Sequence, residues 1–175
     1  MVFVVDEYGV VQGLMTPRDL LEAITGELKP GAQAEAWATP RQDGSWLLDG
    51  TLIFSCDGAK DPFIVALDAA TGAVRWKTAR NTTAKNQFSF STPLAIQTGG
   101  ATQVISPGSG FVGGYDPREG SELWRVTYGD GYSVVPRPVF AHGLLFISSG
   151  FNTAILHAIR PEGAKGNATD TSVAW

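Results

Sequence analysis

One cysteine in 175 residues, Cys56, excludes an intrachain disulfide, so nothing covalent points to export. Two histidines, His142 and His157, leave no third ligand at metal spacing, and both are expected to be structural. No apolar run approaches the roughly 18 residues of a membrane helix, and no membrane span is expected. The opening Met1-Val2-Phe3-Val4-Val5 lacks a basic stretch and meets Asp6-Glu7 early, so no cleavable leader is expected. There is no G-x-S-x-G, no H-E-x-x-H and no G-x-x-x-x-G-K, so the known spacings for an activated serine, a zinc helix or a phosphate loop are missing. Charged residues make up 17% and the net charge is −4, which leaves no basic face for nucleic acid.

What is present repeats. Ala66-Leu67-Asp68-Ala69-Ala70-Thr71-Gly72-Ala73-Val74-Arg75-Trp76 aligns without a gap on Gly114-Tyr115-Asp116-Pro117-Arg118-Glu119-Gly120-Ser121-Glu122-Leu123-Trp124. Asp, Gly and Trp fall in register. Each copy reads as a strand end, a tight turn and a second strand: Asp68 and Asp116 bond the turn backbone, Gly72 and Gly120 supply positive φ, and the Trp anchors the hairpin. The spacing of about one four-stranded propeller blade predicts strands upstream of each Asp, at Thr92 to Gln97, Gln103 to Ser106 and Phe111 to Tyr115. A third copy starts at Pro138, turns at His142-Gly143 and runs through Leu144 to Ser148 and Ala154 to Ile159. There Arg160 replaces the Asp, and a longer loop from Pro161 to Asp170 precedes Val173-Ala174-Trp175.

The stretch Val65 to Trp76 resembles the repeat of quinoprotein-type, PQQ-like β-propellers, a family that includes bacterial outer-membrane-assembly lipoproteins. The resemblance covers about residues 50–175. It implies a docking girdle in which the Trp of one blade packs on the next blade's turn, hence structural roles for Gly72, Trp76, Gly120 and Trp124; the repeat itself places Asp68, Asp116 and Trp175 with them as blade-docking residues. It also implies a periplasmic or extracellular parent protein, and nothing catalytic.

The first 50 residues carry a net charge of −5 and the remaining 125 carry +1, so composition changes near Gly50. Residues 1–28 read as strand, turn, strand and helix: Val2 to Val5, Asp6-Glu7-Tyr8-Gly9, Val10 to Leu14, then a helix capped by Thr16 with Pro17 first and Asp19 at the third position. Residues 29–45 read as a linker. Phe3 to Glu27 resembles the end of the second CBS repeat in CorC/HlyC-type ion-transporter proteins. That resemblance implies a cytoplasmic segment, with Thr16 on a nucleotide phosphate and Asp19 on the ribose. The bare alternative is an N-cap and an N3 acid.

The expected fold is therefore mainly β: a partial β-propeller of about three four-stranded blades at 46–77, 92–126 and 137–175, preceded by a short ββα CBS-like segment. Three blades cannot close a ring, which points to a piece of a larger protein or a chimera joined near Gly50. The glycine run Gly108 to Gly114 has no helix after it and reads as blade turns. Asp57-Gly58-Ala59-Lys60-Asp61 reads as a surface turn with two carboxylates. The expected function is a non-catalytic scaffold or binding surface, with further blades or another protein as partner and no cofactor. Two alternatives stand beside it: an adenine-nucleotide sensor in the N-terminal segment, and a PQQ-dependent dehydrogenase fragment that would bind PQQ with calcium.

Overall fold

A computed structural model describes residues 50–129, 131–149 and 155–175 in full, together with the backbone of four strands before them. The chain forms two compact units, residues 1–36 and 37–175. In the first, β1 (Val2–Val5) and β2 (Val11–Met15) form an antiparallel hairpin with Val2 opposite Met15. The helix expected after Thr16 lies outside the described residues.

The second unit is built from three sheets that follow one another along the chain. The first sheet is a five-stranded antiparallel meander of β3 (Ala38–Pro40), β4 (Trp46–Leu48), β5 (Thr51–Cys56), β6 (Phe63–Asp68) and β7 (Val74–Ala79). Its first strand sits in the stretch expected to be linker. Pairing of Pro40 with Trp46 is compatible with proline because β3 is an edge strand, where one face of the backbone needs no donor.

The second sheet contains β8 (Leu94–Thr98), β9 (Ala101–Gly108), β10 (Phe111–Tyr115) and β11 (Glu122–Thr127) in meander order. The third contains β12 (Val139–Ala141), β13 (Leu144–Ser149) and β14 (Ile155–Ile159). His142 (φ 53°) and Gly143 (φ 74°) make its first turn, both in the left-handed region. The expected last strand of this blade is short: Val173 bridges Ile159, and Ala158 donates to the Trp175 carbonyl at 2.9 Å.

The long loop before that strand is not idle. Its residues Gly166–Asn167 form β15, which runs parallel to β11 and covers the outer edge of the second sheet, with Trp124 opposite Gly166. A sheet edge left bare would invite pairing with other chains, and the third repeat closes it for the second.

Apolar residues at alternate strand positions build two cores, one at each blade junction. Ile53, Ile64, Ala66 and Trp76 of the first sheet meet Val104 and Tyr115 of the second. Ile105, Val112, Trp124 and Val126 on the other face of the second sheet meet Leu145, Ile147 and Ile159 of the third. Every residue of β10 is buried, as befits the strand of a blade packed on both sides. The two loops that join blades also bond to each other: Phe90 N–H donates to Val134 O and Ser133 N–H to Phe88 O, each at 2.8 Å.

Candidate functional site: the blade-docking surfaces

The two repeat turns share one internal geometry. Asp68 N–H donates to Ala73 O and Gly72 N–H to Asp68 O, both at 2.8 Å; Asp116 N–H donates to Ser121 O and Gly120 N–H to Asp116 O, both at 2.9 Å. The Asp68 carboxylate accepts from Ala70 N–H at 3.1 Å and Thr71 N–H at 2.9 Å, and Asp116 accepts from Arg118 N–H at 2.7 Å and Glu119 N–H at 3.0 Å. Gly72 and Gly120 hold φ of 74° and 73°. Asp68 also accepts from Arg75 at 2.8 Å, and that guanidinium, with the Thr71 bonds, holds its carboxyl far below the usual carboxylate range.

Trp76 reaches across the first junction. Its indole Nε1–H donates to the Pro117 carbonyl at 3.0 Å, and its ring lies on Gly120, where a Cβ would come within 2.4 Å of ring carbons. Beside it, the Thr78 hydroxyl donates to the Gly120 carbonyl at 2.7 Å. The turn of the second blade is thus a socket of one glycine and two carbonyls, filled by an indole and a hydroxyl of the first.

Trp124 does something different. It is fully buried, but its Nε1–H donates to Gln103 Oε1 at 2.8 Å within its own blade, and Gly114 opposite it makes room for the ring. The third repeat lacks the Asp turn, and its long loop brings Ala168 into the same core, with Ala164 packed alongside. Trp175 is 61% exposed, with its ring 6.2 Å from that of Phe146. Thr16 and Asp19 lie outside the described residues.

A buried ion pair, with no mark in the sequence pattern, braces the same junction. Arg80, just past β7, donates to Asp57 Oδ2 at 2.8 Å and to the Ser106 carbonyl of the second blade at 3.0 Å; both charged side chains are almost wholly buried. Burial pushes the Asp57 carboxyl up, against the attraction of Arg80. The turn read as a pair of surface carboxylates therefore spends its first one inside the protein.

Two further groups, Arg125 and His157, are committed in the same way. A depression of about 330 Å³ is lined in part by Thr82, Thr83, Phe111, Arg125 and Thr127. Its cation, Arg125, pairs with Glu122 at 2.6 Å, lies 3.8 Å from the centre of the Phe111 ring and donates to Asn81 O. His157 shares a 2.9 Å hydrogen bond with Ser149 and stacks on Tyr128, and burial lowers its pKa. Among the described residues no three His, Cys, Asp or Glu gather as metal ligands. Cys56 is exposed.

Residues 33–167 match the family described as outer membrane protein assembly factor BamB. The chain belongs to that family. It is also similar to BamB from Moraxella catarrhalis, whose crystal structure aligns at 21% identity and a TM-score of 0.41 over 72% of this chain and 32% of that one. A second similarity concerns another family. A UPF0053 protein of Synechocystis is 43% identical over 53 residues, which is 30% of this chain and 12% of that protein. The UPF0053 inner membrane protein YfjD of Escherichia coli is 46% identical over 52 residues, 27% of this chain and 12% of that protein. One chain thus combines a BamB-family repeat region with partial similarity to CorC/HlyC-type proteins, and it spans a small part of the length of each relative.

Proposed function

We propose that the repeat region is a non-catalytic scaffold that contributes three blades to a larger propeller and binds other proteins. The observation that carries this reading is the commitment of the repeat's own polar residues: the Asp and Gly of each repeat turn hold the turn, Trp76 holds the next blade, and Trp124 the core. The half-buried His157 bonds Ser149, and its ring stacks on Tyr128, so these groups too are committed within the protein. Surface suited to protein contact is present on the joined loops, where Phe88, Phe90 and Val135 are 37%, 65% and 61% exposed. The family's description as an assembly factor accords with a partner-binding role.

A photo-crosslinker placed at Phe90 in the source cells is expected to capture outer-membrane assembly proteins reproducibly. Quinone absorbance retained on the protein after PQQ and calcium are added and excess is removed would overturn the non-catalytic reading. The UPF0053 similarity favours a second reading for the N-terminal unit, adenine-nucleotide binding at Thr16 and Asp19. It predicts a melting shift with adenine nucleotide that Asp19→Ala abolishes, and the absence of any shift in the unaltered chain rejects it.

A further inference from the structure

The depression of about 330 Å³ lies where the loop after β7 meets β10 and β11, and it holds polar side chains that the fold leaves unused. Asn81, Thr83 and Thr127 line it, all three exposed. Among the described residues, neither the Asn81 amide nor the Thr83 or Thr127 hydroxyl has a hydrogen-bonding partner. Arg125 forms part of the wall, its guanidinium set 3.8 Å from the centre of the Phe111 ring. Three of its five N–H groups are engaged, two by the Glu122 carboxylate and one by Asn81 O, so two stay open to the depression's contents. At the rim, Gly129 has no heavy atom within 4 Å of where a Cβ would stand.

The lining selects among ligands. Ligand pockets run from about 300 to 1,000 Å³, so this one suits a molecule of one or two small rings. Glu122 grips Arg125 through bonds of 2.8 and 2.6 Å, which cancels the one positive charge in the lining and leaves little to attract an anion. An apolar ligand would strand the amide and the hydroxyls without water. An extended peptide would need a strand edge, and β11 already gives its outer edge to β15 at Trp124 and Arg125. What fits is a neutral molecule whose own groups both donate and accept at close spacing. We infer that the depression binds a sugar, either free or as the end residue of a glycan. The Asn81 amide offers a donor and an acceptor side by side to neighbouring sugar hydroxyls, each threonine offers either, and Arg125 adds two donors. Asn81 and Thr83 follow the first blade whereas Arg125 and Thr127 belong to the second, so the site is assembled by the docking of the two.

The test is an amide NMR titration of the isotope-labelled full chain with glucose, galactose, mannose, N-acetylglucosamine and a short chitin oligosaccharide, with inorganic phosphate as the anionic probe. At least one sugar is expected to shift the amides of residues 81–84 and 125–129. Equal affinity for a monosaccharide and its oligosaccharide identifies a free sugar as the ligand, and tighter binding of the oligosaccharide identifies a glycan. Asn81→Ala and Thr127→Val each remove a side-chain group that the fold does not use, and each should weaken binding about tenfold with the melting temperature unchanged. Binding of none of the sugars, shifts centred elsewhere, affinity indifferent to both variants, or phosphate binding as tightly as the best sugar would each overturn the proposal. None of these outcomes bears on whether the blades act as a scaffold, so the two readings fail separately.

Discussion

The turns at Gly72 and Gly120 have the same sequence frame, nearly the same φ and the same internal hydrogen bonds, yet one carries an indole and the other meets nothing among the described residues. The difference lies in what arrives from outside. A turn motif dictates its own backbone through an aspartate acceptor and a left-handed glycine, but it acquires a packing role only when the previous blade delivers a tryptophan. The tryptophans separate the same way: Trp76 and Trp124 are 8% and 0% exposed, and Trp175, with the same place in its repeat, is 61% exposed. Equal motifs therefore have unequal energetic weight, and the inequality can be measured.

The largest contrast is expected among the tryptophans. Trp76→Ala removes a large buried side chain and its bond to Pro117 and should cost about 3–5 kcal/mol in urea denaturation. Trp175→Ala, whose ring is mostly in solvent, should cost less than about 1 kcal/mol. Equal losses would show that Trp175 is already packed in the single chain.

Arg80→Met is expected to rival Trp76→Ala, at about 3–5 kcal/mol near neutral pH, because it strands the Asp57 carboxylate in the interior. Burial already raises the Asp57 pKa, and loss of Arg80 raises it further. With the folded value above the unfolded one, the folded state binds the extra proton as the pH falls. The deficit of the variant should therefore shrink on acidification, and a deficit independent of pH would remove Asp57 from the explanation.

The glycines come next. Gly120→Ala meets both the left-handed φ and the Trp76 ring, and should cost about 2–4 kcal/mol. Gly72→Ala meets the φ alone, about 1 kcal/mol. Comparable losses at the two sites would mean that the Gly72 turn is covered as well. The smallest effect is expected at Asp68, which the Arg75 and Thr71 bonds hold at a depressed pKa. Its support for the turn is present above its ordinary value of 3.8 and is lost as the pH falls below that. Asp68→Asn should flatten that acid limb slightly, by less than Gly72→Ala costs.

The repeat hairpins were legible in the residues because their causes are local. An aspartate two or three residues from the amides it binds, a glycine at the one left-handed position and alternating apolar strands are all read within a dozen residues. The third repeat was legible to the same degree and no further. Its loss of the aspartate showed a looser turn, but nothing local in Gly166-Asn167 announced a parallel pairing with Trp124 and Arg125, some 40 positions away. The Arg80–Asp57 pair was hidden for the same reason. Its members sit 23 residues apart at the ends of different strands, and an arginine after a strand reads equally well as surface.

The strands and turns of the repeat hairpins follow from residues close together in the chain, through period-two burial and φ that only certain residues adopt cheaply, whereas β3 and β15 do not. The tertiary structure alone decided which turn became a socket, which tryptophan became an anchor and which charge went inside. Those outcomes depend on close packing between blades. A 2.4 Å encroachment by a Cβ or a 2.8 Å ion pair exists only once two sheets have met.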